Sequence, residues 1–211
     1  LAEHELPNVH SIINPNRFED KSDYKHMAAV GVTFLFLMSL RKELRNHSIF
    51  NNKKEPNLLS YLDLVALGTV CDVVELREFN RLFVLKGLEL IHKRYHKGIS
   101  KLIDNSKLNT PPSSQDLGYI VGPQINAASR IDDSSLASKL LITNDPEQIE
   151  KISRKLFLLN EKRKLIQSKI LELANKQAEI QKNSKYILVY GENWHQGVLG
   201  IVASKLLDLY N

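Results

Sequence analysis

The apolar positions of this 211-residue chain fall mostly into helix-like repeats, set apart by short polar or turn-forming stretches. Ser11-Ile12-Ile13 is a β-type run stopped by Asn14-Pro15-Asn16, so it reads as a strand entering a turn. Residues 26–45 predict a strongly apolar helix with a basic last turn, Arg41-Lys42 and Arg45. Its apolar stretch is interrupted by Gly31, Thr33 and Ser39 and is shorter than the roughly 20 residues of a bilayer span, which points to a buried helix. After the polar linker 51–56, residues 57–70 predict a helix with Leu58, Leu62, Val65 and Ala66 on one face. Residues 78–94 predict another, using Leu82, Leu85, Leu88 and Ile91. Shorter helices are expected around 99–103, 114–121 and 135–142.

The longest uninterrupted pattern occupies residues 145–182. Asp145 is a good N-cap, Pro146 suits the first helical position and Glu147 complements the helix dipole. Ile149, Ile152, Leu156, Leu159, Ile166, Ile170, Leu173 and Ile180 recur at three- and four-residue steps, and only Arg163 and Gln177 break the series. The result is one amphipathic helix about 55 Å long at roughly 1.5 Å per residue. It suits either a coiled-coil dimer arm or a rigid connector, and the next segment favours the connector. There the pattern switches to Lys185-Tyr186-Ile187-Leu188-Val189-Tyr190, read as a buried strand, followed by a loop at 191–196 and an amphipathic helix at 197–209. A strand, a loop and a helix open an α/β domain, and 29 residues do not finish one. The expected fold class is therefore α/β with a helix-rich remainder.

Composition adds limits. With 43% apolar and 25% charged residues the chain matches a globular protein and excludes disorder, while a single cysteine excludes a disulfide framework and suits a reducing compartment. The formal net charge is +5. Residues 145–182 hold 9 Lys+Arg against 6 Asp+Glu, so much of the excess lies on one helix and argues only weakly for nucleic acid. The chain begins Leu-Ala-Glu-His-Glu-Leu-Pro, without a signal-peptide pattern, and Leu1 in place of methionine is expected of a processed chain or a piece of a longer polypeptide.

Three segments could carry chemistry. In Leu67-Gly68-Thr69-Val70-Cys71-Asp72-Val73-Val74 an isolated acid sits among apolar residues, where a metal ion would be one partner. Asp72 could equally cap the helix at Glu78 or pair with Arg77 or Arg81, and Cys71 reads as a packed thiol. In Gly122-Pro123-Gln124-Ile125-Asn126-Ala127-Ala128-Ser129-Arg130, Asn126 and Arg130 are one helical turn apart and Arg130 could hold phosphate. The alternative is a tight helix crossing with Arg130 paired to Asp132 or Asp133. The third, His195-Gln196-Gly197-Val198-Leu199-Gly200, enters a helix through glycine and could receive an anion, or could be a capping loop with Trp194 packed beneath it. His92 with His96 reads as a basic helix end, Asp23 with His26 as a loop-to-helix cap, and His4 and His10 as loop residues.

In this order and at these separations the segments resemble the RecJ-type single-stranded-DNA-specific exonucleases of the DHH phosphoesterase superfamily. The match takes in residues 11–16, Val30-Gly31-Val32, residues 66–74, Asn80-Arg81, 122–130 and 194–205. The resemblance implies part of a DHH phosphoesterase domain at 1–144, a long connecting helix at 145–182 and the start of a DHH-associated α/β domain at 183–211. It implies two divalent metal ions, Mn2+ or Mg2+, with Asp72 as metal ligand and catalytic residue, the other acids and the Asp-His-His triplet lying upstream. Asn126, Arg130, His195 and Gly197 are implied to bind substrate. The expected function is 5′ to 3′ hydrolysis of single-stranded DNA in repair and recombination, by a cytoplasmic monomer with no membrane association and with other repair proteins as candidate partners. By the same resemblance this chain alone cannot assemble the two-metal site. The chain departs from the family pattern at Ser129, usually Gly, at Gln124, often Arg, and at Cys71, where Ala is usual. Two alternatives remain open: a DHH phosphodiesterase acting on short oligonucleotides or cyclic dinucleotides, and a non-catalytic nucleic-acid-binding remnant of a split gene.

Overall fold

Helices carry most of the described part of the computed structural model, which covers residues 7–108 and 110–210. Leu1 and His4 lie outside the described residues. No β-strand occurs among the described residues, and the chain divides into two compact units. The first takes the chain up to His96 together with Leu108–Ile120; the second takes Lys97–Lys107 and the chain from Val121 onward. No helix among the described residues is long and apolar enough to cross a membrane.

In the first unit, α1 (Ala29–Asn46), α2 (Leu62–Cys71) and α3 (Glu78–His92) pack around Met27, Phe34, Leu58, Leu62, Val65 and Phe83. Helix α2 is apolar nearly all round and is buried accordingly, as the expected Leu58, Leu62, Val65 and Ala66 face requires. Helix α3 buries Ile91 as expected, but the rest of its inward face differs from the expected one. It buries Asn80, Phe83, Val84, Gly87 and Ile91, and leaves Leu82 and Leu85 about half exposed. Gly87 is the reason, since a Cβ there would lie 2.2 Å from the Leu62 carbonyl oxygen and 2.3 Å from the Ala66 Cβ. The two helices cross at a separation only glycine permits, and that crossing sets the rotation of α3. The buried Asn80 then donates through Nδ2 to the carbonyls of His26 and Glu75, both at 2.9 Å. The basic end of α1 is held by Glu55, which accepts from Arg45 and pairs with Arg41 at 3.4 Å. Residues 11–13 are not a strand, because no neighbouring strand exists among the described residues to pair with them. The turn expected next is present, with Asn14 Oδ1 accepting the Asn16 N–H at 2.9 Å.

In the second unit α4 (Lys97–Asn105), α6 (Gly122–Ile131), α7 (Ser135–Ile142) and α9 (Gln196–Tyr210) assemble on α8 (Pro146–Ile180), the short α5 (Ser114–Asp116) belonging to the first unit. Asp145 Oδ1 accepts the Glu147 N–H at 3.0 Å, as the capping pattern requires. The buried stripe of α8 runs through Ile149, Ser153, Leu156, Asn160, Gln167, Ile170, Ala174 and Ala178, so it leaves the expected series toward the C-terminus. Leu173 is 49% and Ile180 87% exposed. An α-helix has 3.6 residues per turn, and a series read at 3.5 drifts about 20° per heptad away from the packed face. Ala174 and Ala178 replace the expected large residues and admit Val198, Val202 and Leu206 of α9.

The segment 185–190 also differs from expectation. It forms no strand: only Ile187 and Val189 pack against the α8–α9 cluster, while Tyr186, Leu188 and Tyr190 face solvent. Side chains of α8 and the residue after it supply the hydrogen bonds that a neighbouring strand would. Gln181 bonds both the N–H (3.0 Å) and the C=O (2.8 Å) of Leu188, and Gln177 does the same for Tyr190 at 3.0 and 2.7 Å. A carboxamide offers one acceptor and a donor much as a peptide group does, so two glutamines one turn apart present a substitute strand edge.

Candidate functional site

The candidate residues lie in two groups, one in each unit. In the first, Asp72 is the C-cap residue of α2, with its own N–H donating to the Gly68 carbonyl at 3.0 Å. Neither alternative structural role is taken up. Helix α3 starts after Arg77 without any side-chain cap, and Arg77 pairs with Glu75 at 3.0 Å. The Asp72 carboxylate is exposed, has no hydrogen bond or ion pair with another described residue, and lines an open pocket of about 550 Å³ with Asn14, Asn16, Met27 and Thr33. Directly after it the chain turns through Val73 at φ 55°, a left-handed conformation costly for a β-branched residue. Cys71 is half-buried with Sγ 3.9 Å from the Leu117 carbonyl. Burial, and then the Asp72 charge, push its thiol up to about 11, which keeps it protonated and packed.

No group of three or more His, Cys, Asp or Glu side chains among the described residues could hold a metal ion. The described residues therefore do not complete a metal centre. The other candidate ligands have structural surroundings. His92 Nε2 donates to the Pro112 carbonyl at 2.8 Å, and the nearly buried His26 ring lies 3.9 Å from Glu78.

In the second unit, residues far apart in sequence meet. Arg130, at the end of α6, donates from a terminal nitrogen to the Gly197 carbonyl at 3.0 Å. A Cβ on Gly197 would lie 2.2 Å from the Arg130 carbonyl oxygen, so glycine is what lets the start of α9 lie against the end of α6. The Gly197 N–H donates to His195 Nδ1 at 3.2 Å. Nδ1 is thus an acceptor, and the neutral imidazole carries its proton on Nε2. Asn126 is exposed one turn before Arg130, and its side chain makes no hydrogen bond to another described residue. The expected alternative for Arg130 does not form, because Asp132 pairs with Lys155 (3.2 Å) and Asp133 with Lys139 (3.7 Å). Ser129 turns its hydroxyl back to the Asn126 carbonyl at 3.0 Å, and the buried Gln124 ties α6 to Ser106 at 2.8 Å. Trp194 packs partly into the α8–α9 cluster, with its indole against Gly191.

One neighbour of this group carried only a faint signal in sequence. Arg163, which broke the apolar series of α8, donates from Nε and a terminal nitrogen to Asn160 Oδ1 (3.1 and 3.0 Å) and from the other to Gln167 Oε1 at 2.9 Å. Burial, and then the charge of Arg130, hold its guanidinium below the usual value.

No family model matches the chain. Curated single-stranded-DNA-specific exonucleases named RecJ do match it. The protein from Haemophilus influenzae is 36% identical over 213 residues, 98% of this chain and 37% of that protein, and the one from Escherichia coli K12 is 35% identical over 215 residues with the same coverage. Among solved structures, RecJ from Thermus thermophilus in complex with Mg2+ superposes with a TM-score of 0.74 at 31% identity, over 85% of this chain and 27% of that one. A RecJ bound to manganese gives 0.73 at 31% identity, over 85% of this chain and 43% of that one. The chain belongs to the RecJ family and spans 37% of the length of the Haemophilus influenzae and Escherichia coli relatives.

Proposed function

We propose that the chain is part of a metal-dependent exonuclease that hydrolyses phosphodiester bonds of single-stranded DNA in the 5′ to 3′ direction, in cytoplasmic DNA repair and recombination. The relatives named as single-stranded-DNA-specific exonucleases, and the relatives solved with Mg2+ or Mn2+, support this reading. Within the chain, the observation that carries it is the meeting of Arg130, His195 and Gly197 across 67 residues of sequence with no carboxylate on Arg130. On this reading residues 1–144 are part of an α/β phosphoesterase domain, 145–182 connect it onward, and 183–211 open the associated domain. Asp72 donates one carboxylate to a divalent-metal centre whose other ligands lie outside the described residues. Divalent ions in such centres supply an activated water and stabilise the leaving oxygen.

The substrate-side roles follow from donor chemistry. The Arg130 guanidinium matches a phosphate in fork geometry, while the Asn126 carboxamide and His195 Nε2–H add neutral donors. Gly197 keeps these groups together by its lack of a side chain. The test is a manganese-dependent cleavage assay on the native-length protein. Asp72→Ala is expected to lower the rate by more than about 100-fold with an unchanged thermal midpoint; near wild-type cleavage would sink the metal-ligand assignment. Blocking the 5′ end of the oligonucleotide should stop degradation and blocking the 3′ end should not, and the reverse pattern would refute the polarity.

A further inference from the structure

Helix α8 carries a second stripe, on the side away from the one that packs. Lysine recurs there every seven residues, at Lys155, Lys162, Lys169 and Lys176. An aliphatic side chain follows each of them three or four residues later: Leu158, Leu165, Leu173 and Ile180. At 3.6 residues per turn these positions share a sector of about 80° and extend for about 38 Å. They lie opposite the buried Leu156, Asn160, Gln167 and Ala174. All are exposed, Leu158 at 58% and Leu165 at 64%. A solvated face has no need of aliphatics at this spacing, since glutamine or lysine would hold the helix about as well. At the ends of the stripe Lys155 pairs with Asp132 at 3.2 Å and Lys176 with Glu172 at 2.8 Å. Lys162 and Lys169, between them, make no ion pair among the described residues.

The alternation specifies what fits over it. Aliphatics and charges that alternate at three- and four-residue steps are how one helix receives another, the aliphatics packing across the seam and the charges choosing the partner. A second copy of the chain would bring lysines of one sign into a single seam, which repels. A lipid surface calls for a broad apolar face with cations at its flanks, whereas here each leucine stands between two lysines. Nucleic-acid phosphates would answer the lysines and leave the leucines in water. We propose that this face of α8 docks an acidic amphipathic helix of a partner protein, with aliphatics over Leu158 and Leu165 and carboxylates opposite Lys162 and Lys169. The docking face is independent of the exonuclease reading and of the group around Arg130.

The experiment is fluorescence anisotropy of a labelled helical peptide, as long as the stripe, titrated with the native-length protein at about 0.15 M salt. The probe carries leucine where it faces the α8 aliphatics and glutamate where it faces the lysines, and a control peptide has the same residues in scrambled order. Saturable one-to-one binding of the probe alone is expected. Lys162→Glu together with Lys169→Glu should weaken it more than about tenfold. Leu158→Gln together with Leu165→Gln leaves the charge untouched and should weaken it about as much. The thermal midpoint should hold in both, because all four side chains are exposed. Equal binding of the scrambled control, or a leucine pair that does not matter, would reduce the face to undirected attraction of charge and overturn the proposal. A native-length protein that does not bind the probe would refute the docking site, whether its own chain covers the face or nothing does. If the lysine pair instead lowers affinity for a single-stranded oligonucleotide and the probe does not bind, the face serves nucleic acid and the proposal fails.

Discussion

Asp63 and Asp72 stand nine residues apart in and just after α2, and their carboxylates meet opposite conditions. Asp63 is fully buried; Oδ1 accepts the Leu64 N–H at 2.8 Å, and Oδ2 has no hydrogen-bond partner among the described residues. Burial pushes its carboxyl above the ordinary value near 3.8, against the opposing pull of the Leu64 N–H and the charge of His96. The folded chain therefore binds this proton more tightly than the unfolded chain, and stability falls as pH rises from the unfolded value through the raised folded one. Asp63→Asn removes the titration, so its thermal midpoint should gain on wild type as pH goes from 4 to 7. A difference between the two proteins that does not vary with pH would refute this. Asp72 is exposed and without a partner among the described residues, so its loss should change stability by no more than about 0.5 kcal/mol.

At the scale of elements, what was legible in sequence was what is decided locally. The Asp145 cap, Pro146 at the first helical position and the limits Ser135–Ile142 depend on neighbours along the chain, and each was readable there. The inward face of α3 was not, because it follows from the approach of Gly87 to Ala66 and Leu62 in another helix. The Arg130–Gly197 contact was equally hidden, since nothing in the spacing of two segments 67 residues apart says that they touch. The apolar run at 185–190 suggested a buried strand that does not form, and it gave no hint that the pair Gln177 and Gln181 would satisfy the backbone there. These clamps give a measurable prediction. Gln181→Ala removes both bonds to Leu188, each worth about 1 kcal/mol or less at an exposed site. Amide exchange at Leu188 should accelerate several-fold while Ala174 and Ala178 in α8 keep their protection. Unchanged exchange at Leu188 would show that Ile187 and Val189 packing alone holds the segment.

At the scale of the whole molecule, exposed apolar surface matters most. In the first unit apolar side chains are left in solvent: Phe36, Met38 and Leu40 on α1, and Phe79, Leu82 and Leu85 on α3. Within the first unit Phe34, Met38, Leu59, Phe79, Leu82 and Leu90 line a groove of about 530 Å³ that is almost wholly apolar. Contiguous apolar surface of this kind is uncommon on a soluble monomer and binds hydrophobic dyes. The 211-residue chain should accordingly bind anilinonaphthalene sulfonate under native conditions, with enhanced fluorescence and no loss of helical signal. Replacing Leu82 and Leu85 by lysine should lower that fluorescence while changing stability by less than about 1 kcal/mol, because neither side chain is buried. A dye signal that the double substitution leaves intact would move the exposed apolar surface away from α3, and a large fall in stability would mean that the two leucines are packed after all.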